Sequence, residues 1–373
     1  MRIVADDLIT YVREGLARPW VKALDLARAD AIDRARLMNA DALLVRSKTR
    51  IDAALLEGTP VRFVGSATVG VDHVDAAALE RLGVAFVAAP RSSAASVAQF
   101  TLALLVLAAD RACMPWRGKT LAVVGCGAIG SRVAAAGAKL GLRILRSDPP
   151  LAEATGDPSF VGPEALGDAD FVTFHVPLVR AGLHPTAGMV DAPYLARLKK
   201  GVILINTSRG AIVEERDLAR ALLSGVVATA ALDVFQHEPV IPDELLTRIA
   251  YATPHVAGRS LEGMAMNTKV VVDRLAAFVG DAYVFDPRPL YPKAPSFSAA
   301  APNDLAGFLR AHWDLDRRDA MLKASCGRTE SEKKTLFAAA RECEPMRRDL
   351  TSYGGLDLLP PLVREFLAVL PAD

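Results

Sequence analysis

Short apolar runs closed by polar or turn residues recur through the first quarter of the chain. Residues 2–5, 42–46, 61–66 and 85–88 have the length and apolar character of buried strands. Between them lie Ala- and Leu-rich stretches of helical composition, such as 52–57 and 75–82. The alternation predicts a parallel sheet with helical crossovers. A long apolar helix is expected over 93–109. From Gly118 the strand–helix rhythm resumes, with strands expected at 121–124, 142–146, 171–174, 202–205, 229–232 and 249–252. Their apolar content predicts burial on both faces of a doubly wound sheet. A second long helix is expected over 261–279.

After it the texture changes. Asp286-Pro287-Arg288-Pro289-Leu290-Tyr291-Pro292-Lys293-Ala294-Pro295 carries four prolines in ten residues and reads as an extended linker. From about residue 296 the chain is rich in Arg, Asp and Glu.

Composition narrows the function. The 373 residues hold 44 Lys plus Arg against 43 Asp plus Glu, a formal net charge of +1. No global field draws such a chain to nucleic acid or to an anionic membrane. The longest apolar run, 97–109, falls short of the roughly 20 residues of a membrane span. Acids at Asp6 and Asp7 stand where an export signal would have an apolar core. Cys113, Cys126, Cys326 and Cys343 have neither the spacing of a metal site nor the density of a disulfide framework. No metal is expected, and a reducing, cytoplasmic setting is.

Gly125-Cys126-Gly127-Ala128-Ile129-Gly130 follows a strand directly and opens a helix expected over 131–140. In that context the three glycines allow a tight turn, close approach of a pyrophosphate, and close helix–strand packing. The helix start offers free N–H groups to phosphates. Asp148 lies 18 residues past Gly130, at the end of the next strand, where a carboxylate accepts hydrogen bonds from the adenosine ribose. This predicts NAD over NADP; nearby Arg143 and Arg146 leave NADP tolerance open. His175 ends the 171–174 strand and is expected to line the cofactor cleft.

Three ionisable residues stand just after successive strands: Arg209, Glu238 and His255. Ligands of open parallel sheets bind at the carboxyl ends of strands, so the three can converge. Arginine grips a carboxylate bidentately. Histidine takes a hydroxyl proton as hydride leaves the adjacent carbon, and a carboxylate beside it stabilises the imidazolium. Such a set suits interconversion of a 2-hydroxy acid and a 2-oxo acid. Taken singly, each has a bland alternative: a surface ion pair, a loop acid, a core histidine. His73 reads as a brace at a helix start, and His184, His237 and His312 as solvated or loop residues. Arg317-Arg318 and Arg347-Arg348 sit among acids and read as ion-paired surface or interface.

On the glycine motif, Asn206-Thr207-Ser208-Arg209-Gly210, Leu232-Asp233-Val234-Phe235-Gln236-His237-Glu238-Pro239 and Thr253-Pro254-His255, the chain resembles the D-isomer-specific 2-hydroxyacid dehydrogenases over residues 1 to about 285. Val45-Arg46-Ser47-Lys48-Thr49, Ser66-Ala67-Thr68-Val69-Gly70 and Trp313-Asp314-Leu315-Asp316-Arg317-Arg318-Asp319 point to a branch with a phosphorylated substrate and an extra C-terminal segment. The resemblance implies an α/β fold with two Rossmann-like doubly wound parallel-sheet domains. One is a flavodoxin-like substrate domain over 1–92 and 258–285. The other is an NAD-binding domain over 93–257. A linker and a small α+β dimerisation domain would occupy 286–373.

It further implies that Ser47 and Thr68 contact substrate, and that Asp148, Asp233 and Gly258 contact NAD with the glycine turn. Arg209 and Glu238 become active-site residues and His255 the proton donor in the reductive direction. Arg46, Lys48 and Arg259 are candidates for a basic patch around the substrate phosphate. The chain departs from the closer pattern at Arg259, usually a tyrosine, at Gln99, usually glutamate, at Pro90-Arg91-Ser92-Ser93, and at Val176, where a threonine would face the cofactor. The expected partners are a small phosphorylated hydroxy acid and a second copy of the chain. A dehydrogenase for another D-2-hydroxy acid and a non-catalytic NAD-sensing protein remain the alternatives.

Overall fold

The computed structural model describes residues 1–297, 304–342 and 346–372, so Cys343 lies outside the described residues. The chain forms two compact units. One comprises Met1–Ser93 and Leu261–Ala294, the other Ala94–Ser260 and Pro295–Ala372.

The first unit carries a five-stranded parallel sheet. Its strands are β1 (Arg2–Asp6), β2 (Ala23–Ala27), β3 (Ala42–Val45), β4 (Phe63–Ser66) and β5 (Ala85–Ala88), in the order β2-β1-β3-β4-β5. This is the flavodoxin-like arrangement. The central β3 and β4 are buried throughout, and both were legible as apolar runs. The helix Leu261–Phe278 packs Val271, Val272 and Leu275 onto the sheet. Gly65 makes room for it: a Cβ there would stand 2.4 Å from Val271 and 2.8 Å from Leu44. β2 was not anticipated. It is an edge strand whose first four residues alternate exposed and half-buried before buried Ala27, and Ala23-Leu24-Asp25-Leu26-Ala27 has no continuous apolar signature.

The second unit is built on six parallel strands: β6 (Thr120–Val124), β7 (Arg143–Ser147), β8 (Phe171–Phe174), β9 (Val202–Asn206), β10 (Val227–Leu232) and β11 (Tyr251–Ala252). Their order is β11-β10-β9-β8-β6-β7. The winding reverses between β6 and β8, which marks the crevice where a doubly wound sheet binds its ligand. The helix Ala94–Arg111 crosses one face beside Phe171, Ile203 and Ile205. At 18 residues it is long and apolar enough to pass for a membrane span, beyond what the 97–109 run suggested, yet 89% of it is buried inside the unit. It is a core helix.

Residues Pro295–Ala372 pack into this same unit through helices Leu305–His312, Leu315–Lys323, Glu330–Arg341 and Pro361–Val369. Phe308, Trp313 and Phe366 join the core around Phe100, while Leu322, Phe337 and Ala340 join the core around Leu232 and Leu246. Polar pins reinforce the attachment. Arg111 pairs with Asp319 at 2.8 Å, and Asp319 also accepts the Ala252 N–H at 2.9 Å. Buried Gln99 bonds to Leu350, Thr351 and Pro371. That departure from the family pattern therefore holds the tail in place. Among the described residues the tail has no strand, only isolated bridges such as Ser260 with Arg347 and Ser296 with Gly354, so the expected α+β character reduces to helices.

Candidate active site

The glycine turn after β6 is shaped by contacts that exclude side chains. Gly125 has φ +85°, and a Cβ there would lie 2.8 Å from the His175 carbonyl and 2.7 Å from Val176. At Gly130 a Cβ would stand 1.9 Å from the Gly125 carbonyl oxygen. Only glycine satisfies both. At Gly127 a Cβ would meet nothing within 4 Å, so this position faces open space. Gly127 also precedes the helix Ala128–Lys139, whose first turn, from Ala128 and Ile129, has no side-chain cap. Uncapped N–H groups above an open glycine suit a pyrophosphate.

Asp148 stands across the turn. Its Oδ2 accepts the Cys126 N–H at 2.8 Å and its Oδ1 the Leu151 N–H at 3.1 Å. Each oxygen retains a lone pair for a ribose hydroxyl. His175 Nε2 is 3.1 Å from the Thr173 hydroxyl, while its Nδ1 is buried with no hydrogen-bond partner among the described residues. Burial pushes this imidazole down to about 3, so it is neutral at physiological pH. An orphaned polar atom at the crevice calls for a ligand atom to complete it. The residues present therefore fit a dinucleotide. Cys126 takes no chemical part: burial, with Asp148 adding to it, pushes its thiol up to about 11.

Arg209, Glu238 and His255 sit beyond β9, β10 and β11. At Arg209, Asn206 fixes the loop by donating from Nδ2 to the Arg209 carbonyl at 2.9 Å and accepting the Ser208 N–H at 3.0 Å. Gly210 is required because a Cβ would fall 2.0 Å from the Phe235 backbone. The Arg209 guanidinium donates from Nη1 to the Ser208 carbonyl at 2.8 Å.

The structure joins two members of the set directly. His255 Nδ1 lies 2.7 Å from Glu238 Oε1. Burial pushes the Glu238 carboxyl up, but the hydrogen bond and charge of His255, the charge of Arg341 and the Phe235 N–H outweigh it, and the net direction is down. Glu238 is thus a carboxylate that can only accept. Nδ1 must carry the proton, which leaves Nε2 as the exchanging atom. The His255 side chain is 37% exposed, so the ring is not sealed inside the unit.

Asp233 has a role the sequence reading did not assign. It is fully buried. Its Oδ1 accepts the Thr253 hydroxyl at 2.6 Å and the Val256 N–H at 2.8 Å, and Oδ2 accepts the Ala257 N–H at 2.8 Å. Its backbone carbonyl accepts the His255 N–H at 2.7 Å. Burial pushes the carboxyl up against these bonds and the His255 charge. The bonds hold His255 at φ 56°, a left-handed conformation unfavourable for a side-chain-bearing residue. The available signal was an acid ending an otherwise apolar strand. Gly258 and Arg259 continue the loop in a turn closed by the Arg259 N–H on the Val256 carbonyl.

The other candidates fall in the first unit. Ser47 and Lys48 are exposed just past β3, beside half-buried Arg46. Thr68 lies just past β4, the strand paired with β3. The Thr68 hydroxyl donates to the Gly70 carbonyl at 2.8 Å and lies 2.7 Å from the Ser66 hydroxyl, which in turn lies 3.0 Å from His73 Nε2. Elsewhere, His184 pairs with Glu153 and His237 with buried Glu215. His312 packs against Phe297 and Phe308 instead of facing solvent.

Comparison with known proteins adds lineage to geometry. Residues 106–257 match the family model described as "D-isomer specific 2-hydroxyacid dehydrogenase, NAD binding domain". The chain is 39% identical over 327 residues to erythronate-4-phosphate dehydrogenase of Marinobacter nauticus, covering 85% of each protein. It is 36% identical over 377 residues to the protein of that name from Pseudomonas aeruginosa, covering 98% of each. Among solved structures, D-lactate dehydrogenase from Aquifex aeolicus, complexed with NAD and lactic acid, shares the fold with a TM-score of 0.63. That match is 23% identical and covers 75% of this chain and 96% of the other. The chain belongs to the D-isomer-specific 2-hydroxyacid dehydrogenase family, whose members bind NAD, and its full-length likeness is to the erythronate-4-phosphate dehydrogenases.

Proposed function

We propose that this chain catalyses the NAD-dependent oxidation of 4-phospho-D-erythronate to 2-oxo-3-hydroxy-4-phosphobutanoate, a step of pyridoxal phosphate biosynthesis. The observation that carries the reading is the 2.7 Å contact between His255 Nδ1 and Glu238 Oε1, in the unit that also holds the dinucleotide turn. The names of the full-length relatives supply the substrate.

NAD, when bound, supplies the hydride acceptor. Arg209 fixes the substrate carboxylate through charge-assisted hydrogen bonds. His255 Nε2 takes the C2 hydroxyl proton as hydride leaves C2, and Glu238 stabilises the imidazolium that results. Asp148 accepts from the adenosine ribose, and the turn from Gly125 to Gly130 receives the pyrophosphate. Ser47, Thr68 and Arg46 are further substrate contacts. The enzyme works in the cytoplasm as a homodimer joined through its C-terminal segment.

The test is NADH formation with 4-phospho-D-erythronate, D-lactate and D-glycerate in parallel. The phosphorylated acid should lead in kcat/KM by about tenfold or more. Binding of NAD with no turnover of any hydroxy acid would overturn the proposal in favour of a sensor.

A further inference from the structure

The second unit holds a small open pocket, about 370 Å³ when its mouth is included, between the His255 loop and the C-terminal helices. Arg259, Arg318, Arg341 and Arg347 line it, and among the described residues Asp314 is the lining carboxylate. That acid is already engaged by Arg318 Nε at 2.9 Å. Asp349 lies behind, 3.7 Å from Arg347. Four guanidiniums around one small space repel one another in a medium of reduced dielectric. A cluster of this sign favours an anion over a cation in the same space.

Two of the four are held rigidly. Arg318 Nη1 donates to the Ala340 carbonyl at 2.5 Å, and its side chain is 6% exposed. Arg347 Nη2 donates to the Ala257 carbonyl at 2.5 Å, and its guanidinium lies over the Trp313 ring at 4.6 Å and the Phe100 ring at 4.9 Å. Arg341 differs. Its Nε is buried with no hydrogen-bond partner among the described residues. A buried donor without an acceptor is costly unless a ligand supplies one.

The pocket adjoins the catalytic dyad. Val256, next to His255, is part of its wall. Arg347 bonds to Ala257, whose own N–H is held by Asp233. Arg341 is also close enough for its charge to act on Glu238.

We propose that this pocket is a binding site for a phosphate monoester dianion, with Arg341 supplying a hydrogen-bond donor that now lacks an acceptor. As a site for the substrate's own phosphate it rests on the function proposed above; as a site for phosphate itself it does not. A tetrahedral dianion offers several acceptor oxygens to donors arriving from different directions, which suits four arginines on separate elements.

Binding of inorganic phosphate to the NAD-loaded protein, measured by calorimetry at constant ionic strength with chloride as control, tests the site without reference to turnover. Arg341→Gln should weaken phosphate affinity about tenfold. Arg341→Lys, which keeps the charge, should recover part of it, and Arg259→Gln provides a second variant near the pocket mouth. Equal phosphate affinity in wild type, Arg341→Gln and Arg259→Gln would overturn the site, as would no phosphate binding at all. Kinetics then distinguish the two sources of the anion. If the substrate's own phosphate occupies the pocket, inorganic phosphate competes with 4-phospho-D-erythronate, and Arg341→Gln raises KM for it while sparing unphosphorylated D-erythronate. If a separate phosphate ester binds there, inhibition is non-competitive and both substrates respond alike.

Discussion

Each unit carries a parallel sheet with a histidine just past its strands, yet the two histidines have opposite fates. In the first unit His73 Nε2 meets the Ser66 hydroxyl, and burial lowers its pKa despite the raising effect of Asp72. In the second unit His255 meets a carboxylate at 2.7 Å and keeps its side chain 37% open. The same architecture therefore yields a neutral brace in one place and a carboxylate-paired imidazole, the proposed proton-exchanging group, in the other. Topology brings polar residues to strand ends, but the partner of each imidazole decides what it can do.

Removing the exchanging imidazole should have the largest effect. His255→Gln is expected to lower kcat by roughly a hundred- to ten-thousandfold while leaving NAD affinity unchanged. Steady-state kinetics beside a fluorescence titration of NADH separate the two. A variant with near-normal turnover would remove His255 from the chemistry and erase the contrast with His73.

Glu238→Gln comes next. It replaces an obligate acceptor by a group that can also donate, so the Nδ1–H partnership weakens, and a fall in kcat of tenfold or more is expected. The pH dependence sharpens this. The folded value of Glu238 lies below the ordinary glutamate value. Its pairing thus contributes stability that is full at neutral pH and is lost as pH falls through the lowered value. Thermal melts should show wild type losing ground to Glu238→Gln below about pH 4. A constant difference between the two across that range would mean that the pair does not titrate as described.

Asp233→Asn tests the support beneath the catalytic loop. The change leaves an acceptor for Thr253 and Val256 but sets an NH2 group against the Ala257 N–H, or the reverse after a flip. A donor left facing a donor in a buried site costs about 1–3 kcal/mol. Denaturant melts should register that loss, and kcat should fall more than KM rises, because His255 loses its fixed position.

The legible part of the molecule was the part written in local sequence. Central parallel strands are buried on both faces, so β3, β4, β6, β8 and β9 announced themselves as apolar runs. The glycine turn was legible because the left-handed Gly125 and the close approach of Gly130 to the Gly125 carbonyl lie within one short segment, although Gly125 also packs against the distant His175 and Val176. The pairing of Glu238 with His255 was legible from their place after strands. What escaped detection depends on packing between distant segments. β2 is an edge strand with a mixed pattern. The brace formed by Asp233 exists only because residues 253–257 fold back onto it. The Arg317-Arg318 and Arg347-Arg348 pairs read as ion-paired surface or interface, and the pocket that Arg318, 5% exposed, lines with three arginines from separate elements was not legible.

The smallest expected effect belongs to His73→Gln, and it is the sharpest check on the contrast between the two histidines. The Thr68 hydroxyl donates its hydrogen to the Gly70 carbonyl, so Ser66 must donate to Thr68, and His73 must donate from Nε2 to Ser66. A glutamine amide can supply that same N–H. Turnover should therefore change by less than about threefold, well below a general acid–base contribution. Stability should respond to pH instead. The folded value of His73 is depressed, so its contribution is full above the unfolded value near 6.5 and is lost as pH falls toward the depressed one. Melts of His73→Gln should be flatter than wild type over that acidic interval. A large loss of kcat in this variant, with melts unchanged, would place a second working imidazole in the protein and abolish the distinction between brace and base.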